Sequence, residues 1–249
     1  MRRVRLGAIS EVLRAMSGNA TGWFLESFGS NAGAFGALAQ VQQTLQNHFA
    51  AQLPAIQDRV TRRVVKKGIY RVGKMFWGTG VTNNSTAWKF AKWTKTRRTS
   101  PEEVGRTMNC WEVVLYLAYQ CDLFSQAGLV RYYQAPPEDG DQKLRSLFGT
   151  QQVYGPMLHT PRMGDLLTFV NLAGGKLDHV GIYVGVYNGD HYLLHNLKFN
   201  PNTQVGTYGC LHFEKMNDIV GRYVNGVTVY YNQPFWEKGA PSNTYYKNW

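Results

Sequence analysis

Apolar residues recur along this chain at two different periods, and the change of period divides it. Phe35, Leu38, Val41, Leu45 and Phe49 keep a helical spacing until Pro54, and a second amphipathic run extends from Ile56 to about Lys67. Between Gly18 and Gly36 the chain is rich in Gly, Asn, Ser and Ala, so an irregular stretch is expected there. Ser100-Pro101-Glu102-Glu103 predicts a helix start, with proline at the first helical position and a Ser-to-Glu capping-box spacing. Cys110, Val113, Val114, Leu117, Ala118, Cys121 and Phe124 then share one face of a core-directed helix, and Pro136 to Gly140 reads as an exposed loop. Further on the period falls to two. Strands are expected over 165–171, 179–187, 191–198 and 224–231, with Asn188-Gly189 as a type I′ hairpin turn. The pattern predicts an α+β chain in which a helical region, 1–98, precedes a domain of helices and antiparallel sheet, 99–249.

Charge sharpens that division. The net charge is +11, yet residues 59–98 alone hold twelve Lys or Arg and no acidic residue. Trp77, Trp88, Phe90 and Trp93 are interleaved with them. Such a segment suits a polyanion or an anionic membrane face, and it equally suits a solvated helix face. No feature points to specific nucleic-acid reading. The start Met1-Arg2-Arg3-Val4-Arg5 resembles the basic end of a signal peptide, but Glu11 and Arg14 break the apolar run it would need, and no stretch is long and apolar enough to span a bilayer. The expectation is therefore a protein made in the cytoplasm without an export signal of its own.

Cys110, Cys121 and Cys210 form no zinc pattern, so neither a metal nor another cofactor is expected. Cys110 and Cys121 lie about 16 Å apart along one helix, beyond disulfide reach. Cys110 is the candidate nucleophile. At a helix start a thiol feels the positive end of the dipole, which is expected to lower its pKa from about 8.5, and the free N–H groups of the first turn can receive an oxyanion. His179 begins an alternation that puts His179, Gly181, Tyr183 and Gly185 on one face, and the two glycines leave room there for a neighbour such as the start of the cysteine helix. A second polar residue must orient the His179 ring. With a strict two-residue turn facing residues sum to 377, and Asn196 comes opposite Gly181. A three-residue loop gives 378 and brings His195 opposite Tyr183. Both remain candidates on register alone. His191 shares the face of His195 but lies near the turn, and His48, His159 and His212 read as surface or structural.

Cys110 on a helix, Gly164-Asp165-Leu166-Leu167-Thr168-Phe169, His179-Val180-Gly181-Ile182-Tyr183-Val184-Gly185 and Leu194-His195-Asn196 together resemble the NlpC-type peptidoglycan hydrolases, a branch of the papain-like cysteine peptidases. The likeness covers about residues 105 to 200. It implies a papain-like domain with the cysteine at a helix N-terminus packed on an antiparallel sheet, Cys110 as nucleophile, His179 as base and His195, in preference to Asn196, as orienting residue. The family's usual Asp-Cys-Ser-Gly is replaced here by Asn109-Cys110-Trp111-Glu112, and the chain between Cys110 and His179 is longer, through an insertion around 125–158. The lecithin:retinol-acyltransferase relatives place His before Cys, the reverse of the order here.

The function expected on this likeness is cleavage of an amide bond in peptidoglycan stem peptides, by an antibacterial effector delivered through a machine such as type VI secretion and matched by an immunity protein. The basic segment would hold anionic envelope polymer or membrane. The alternatives are a host-directed protease, deamidase or acyltransferase using the same triad, and a non-enzymatic polyanion-binding protein.

Overall fold

The computed structural model describes residues 32–75, 94, 108–123, 125–134, 140–150, 152–155, 160–197 and 210–240. Most of the Gly18–Gly36 stretch, Trp77, Trp88, Phe90, Trp93, the helix start at Ser100, Pro136 to Asp139 and His159 lie outside the described residues. The helices are α1 (Ala32–Gln52), α2 (Arg59–Ile69), α3 (Cys110–Tyr119), α4 (Gln126–Gln134), α5 (Gly140–Phe148) and α6 (Met216–Val220). The strands are β1 (Gln152–Val153), β2 (Leu166–Asn171), β3 (Leu177–Tyr187), β4 (Asp190–Asn196), β5 (Leu211–Lys215) and β6 (Val227–Asn232). They form one sheet in the order β1-β6-β2-β3-β4-β5, antiparallel at every junction. Among the described residues no helix is long and apolar enough to cross a membrane.

Two faces of the sheet are covered differently. Val180, Ile182 and Leu194 join the larger core with Val113, Val114 and Leu117 of α3, while Leu167, Phe169, Tyr183 and Leu193 pack with Met216 and Ile219 of α6. The expected break near residue 98 is not a break in the packing. Leu45 and Phe49 of α1 and Val64, Val65 and Ile69 of α2 belong to the same core as α3. Helix α2 shows why. Asp58 caps it, accepting from the Thr61 N–H at 2.6 Å, and Thr61, Val64, Val65, Gly68 and Ile69 make one buried stripe. At Gly68 a side chain would meet Leu194 Cδ2 at 2.7 Å and Leu117 Cδ1 at 3.1 Å, so the helix backbone lies directly on α3 and β4.

Part of the basic run is spent on this packing. Lys67 Nζ donates to the Gln120 carbonyl at the end of α3 at 2.7 Å, Arg71 Nη2 to Gln120 Oε1 at 3.1 Å, and Arg62 Nε to the Ile56 carbonyl at 3.0 Å. A cation at a helix C-terminus is favoured by the dipole as well as by the hydrogen bond. Arg59, Arg63 and Lys66 are exposed. Strand β5 is an edge of the sheet, and Gln42 of α1 covers it: its side chain donates to the Phe213 carbonyl at 2.9 Å and accepts from the Phe213 N–H at 2.8 Å, imitating a paired strand.

Candidate active site

Helix α3 begins where its sequence provides a cap. Asn109 accepts the Glu112 N–H at 3.0 Å and the Glu112 carboxylate accepts the Asn109 N–H at 2.7 Å, closing a capping box around Cys110. This box consumes the Glu112 N–H and leaves the Cys110 amide without a partner among the described residues. The sulfur accepts the backbone N–H groups of Val180 and Trp111. Pairing of β3 with β4 stops at Ile182 and Leu194, and the thiol meets β3 just past that point, one residue from His179. Helix α3 packs on the Val180 side of the sheet, and so the space over Gly181 is not where it enters. That space holds cross-strand side chains: a Cβ on Gly181 would meet Leu193 Cδ2 at 2.5 Å and His195 Cβ at 3.0 Å.

The hairpin settles which residue stands behind His179, through a feature neither register anticipated. Asn188 (φ 51°) and Gly189 (φ 82°) make a two-residue turn of the I′ kind, and Tyr187 faces Asp190, Val186 faces His191 and Gly185 faces Tyr192. Then the register slips. Tyr183 faces Leu193 and Ile182 faces Leu194, so Val184 is an extra residue in β3, a bulge beside Gly185 at φ +118°. A strict two-residue register would have put Asn196 on the histidine face; the bulge puts His195 there instead. His179 Nε2 and His195 Nδ1 lie 2.7 Å apart, both rings buried. Asn196 has a different task. Its Nδ2 donates to the carbonyls of Met75 and Met108, each at 2.8 Å, and so ties down the approach to α3 two residues ahead of Cys110.

Behind His195 comes a cluster that the sequence reading missed. Glu214 Oε2 on β5 lies 3.0 Å from His195 Nε2 and 3.4 Å from His212 Nε2. Arg222, just after α6, forks onto the same carboxylate, with Nη1 2.9 Å from Oε2 and Nη2 on Oε1. His212, expected to be surface or structural, is buried with its ring 4.5 Å from that of His195, and its Nδ1 donates to the Cys210 carbonyl at 2.7 Å. Strand β5 was not foreseen. The only signal for it was the five-residue alternation of Leu211, Phe213 and Lys215 with His212 and Glu214. On the β2 side of His179, Phe169 lies 5.4 Å from its ring and stacks on Tyr223, which hydrogen-bonds to the exposed Asp178.

Burial governs the electrostatics. It pushes the Cys110 thiol up to about 12, against the lowering by the Val180 and Trp111 N–H groups. This reverses the direction expected from the helix start, because an enclosed thiolate loses more hydration than the helix dipole returns. Burial, then the neighbouring His195, holds His179 well below the usual histidine value. His195 is lowered to about 4, by burial first and His212 second. Both rings are neutral near pH 7. Burial raises Glu214, yet its contacts with His195 and His212 outweigh that and hold the carboxyl well below the carboxylate range.

His195, His212 and Glu214 also offer three ligand atoms within 4.8 Å of one another, a donor set that a cation such as zinc accepts. Arg222 already occupies both oxygens of Glu214, which favours a hydrogen-bonded network over a coordination site. No family model, curated protein or solved structure matches this chain.

Proposed function

We propose that this chain is a thiol hydrolase of the papain-like, NlpC type that cleaves an amide bond in peptidoglycan stem peptides through an acyl-enzyme. The observation that carries the reading is the 2.7 Å contact between His179 and His195 on the residue next to the one whose N–H holds the Cys110 sulfur. With Nε2 of His179 committed to His195, Nδ1 is the nitrogen left to take the thiol proton. Cys110 Sγ attacks the substrate carbonyl as His179 takes that proton, and the Cys110 N–H at the helix start, without a partner among the described residues, is placed to donate to the oxyanion. The imidazolium then returns the proton to the departing amine. Water, deprotonated by His179, hydrolyses the thioester and restores the thiol. Because thiol and imidazole rest neutral, the transfer accompanies attack and does not precede it. The exposed Arg59, Arg63 and Lys66 suit a polyanionic wall polymer.

Purified sacculi incubated with the protein and analysed by mass spectrometry should yield stem peptides cut at one amide position, and Cys110→Ala should yield none. Intact sacculi under conditions in which the same preparation cuts a protein or releases an acyl chain would move the substrate outside the wall. Equal cleavage by Cys110→Ala would end the thiol-hydrolase reading.

A further inference from the structure

We infer that Glu214 is a positioning residue that fixes the tautomers of both histidines, with Arg222 keeping it an obligate acceptor; this rests on the thiol-hydrolase reading for its kinetic consequence but not for its structural one. An ionised carboxylate has no hydrogen to give, and the two-pronged contact with Arg222 stabilises that state. His195 Nε2 lies 3.0 Å from Oε2, out of line for a regular hydrogen bond, but a lone pair so close to an anionic oxygen is repelled, and so this nitrogen carries the hydrogen. A neutral imidazole has only one, so His195 Nδ1 presents a lone pair. His179 Nε2 lies 2.7 Å from that lone pair and must be the donor, which leaves His179 Nδ1 with the lone pair that a base requires. One acidic residue, 6% exposed and two rings away from the thiol, thus selects the reactive form of the base. Coordination of a cation by the same three side chains would demand the opposite: a lone pair on His195 Nε2, hence hydrogen on its Nδ1 and on His179 Nδ1, which disarms the base. Metal binding at this cluster and base catalysis by His179 exclude each other.

The direct test is a long-range proton–nitrogen spectrum of protein carrying ¹⁵N-histidine, with His179 and His195 assigned by their loss in His179→Gln and His195→Gln. In the wild type both rings should carry hydrogen on Nε2 and a lone pair on Nδ1. In Glu214→Gln the amide oxygen is claimed by Arg222 and the amide NH₂ faces His195, so both rings should switch to hydrogen on Nδ1. In that variant kcat/KM should fall about 100-fold with KM little changed, the size seen when the support of a reactive ligand is removed. Hydrogen on His195 Nδ1 in the wild type overturns the inference, as does an unchanged spectrum and rate in Glu214→Gln, or stoichiometric zinc whose chelation alters the ring signals. Should Glu214→Gln fail to fold, the wild-type spectrum still decides. The spectrum needs no substrate, so a wild type with the expected tautomers but no hydrolysis would refute the enzymatic reading and leave this one standing.

Discussion

Gly181→Ala offers a sharp perturbation of the site because it adds a single methyl group and touches no catalytic atom. The new Cβ would stand 2.5 Å from Leu193 Cδ2, 2.6 Å from Leu193 Cγ and 3.0 Å from His195 Cβ, where ordinary contact begins at 3.4 Å. Relief of the closest pair needs a displacement of 3.4 − 2.5, or 0.9 Å. Leu193 is fully buried and cannot swing into solvent, and His195 Cβ moves only with its backbone, so β4 must shift away from β3. Overpacking of this kind costs about 1–3 kcal/mol. A displacement of about 1 Å in a group that positions the base costs about 100-fold in rate. Urea denaturation should therefore show a loss within that range while the far-ultraviolet spectrum is kept, and kcat/KM on a soluble stem peptide should fall by about two orders of magnitude. A variant within about 0.5 kcal/mol of wild type and fully active would refute the claim that His195 is seated across Gly181, and with it the bulged register.

Stability should fall with acid as the buried histidines take up protons. His195 has its folded pKa lowered from 6.5 to about 4, so its contribution is complete above pH 6.5 and is lost as pH falls toward 4, by about 3 kcal/mol in all, with buried His179 adding in the same direction. The stability that Glu214 contributes is complete above about pH 4.5 and is lost only below it, where the unfolded chain begins to take up protons. Urea midpoints measured between pH 7.5 and 5 should decline steadily, and a flat profile would contradict neutral, buried rings. Asn196→Ala removes two buried hydrogen bonds and orphans two carbonyls, so it should cost about 2–4 kcal/mol by denaturation. A loss below about 0.5 kcal/mol would show that Met75 and Met108 do not depend on it.

Much of this architecture can be read from period alone. Leu166 to Asn171, the two strands of the hairpin and the Cys110 helix announce themselves because each is a clean run of period two or 3.6, and the I′ turn follows from Asn188-Gly189. The bulge cannot be read that way. Gly185 hints that β3 leaves regular geometry, but a one-residue slip at Val184 changes no composition and no alternation near the turn, and it reverses which of His195 and Asn196 faces His179. Strand β5 is invisible for another reason: five residues with His212 and Glu214 buried do not look like a half-buried strand until Arg222, eight residues away, is known to neutralise the acid. The direction of the Cys110 shift is not legible in the sequence, because helix position is a local property whereas desolvation depends on the whole fold. Lys67 and Arg71 hydrogen-bond to Gln120 at the end of α3, and a charge run says nothing of which members do so.

The central claim is that Cys110 forms a covalent acyl intermediate with the aid of His179. Rapid quenching of the protein with a stem-peptide substrate, followed by intact-mass and peptide-level mass spectrometry, tests it directly. The account predicts an adduct of the acyl fragment's mass on Cys110, absent from Cys110→Ala and strongly reduced in His179→Ala. Product formation with no adduct at Cys110, or an adduct on Cys121 or Cys210, would contradict it.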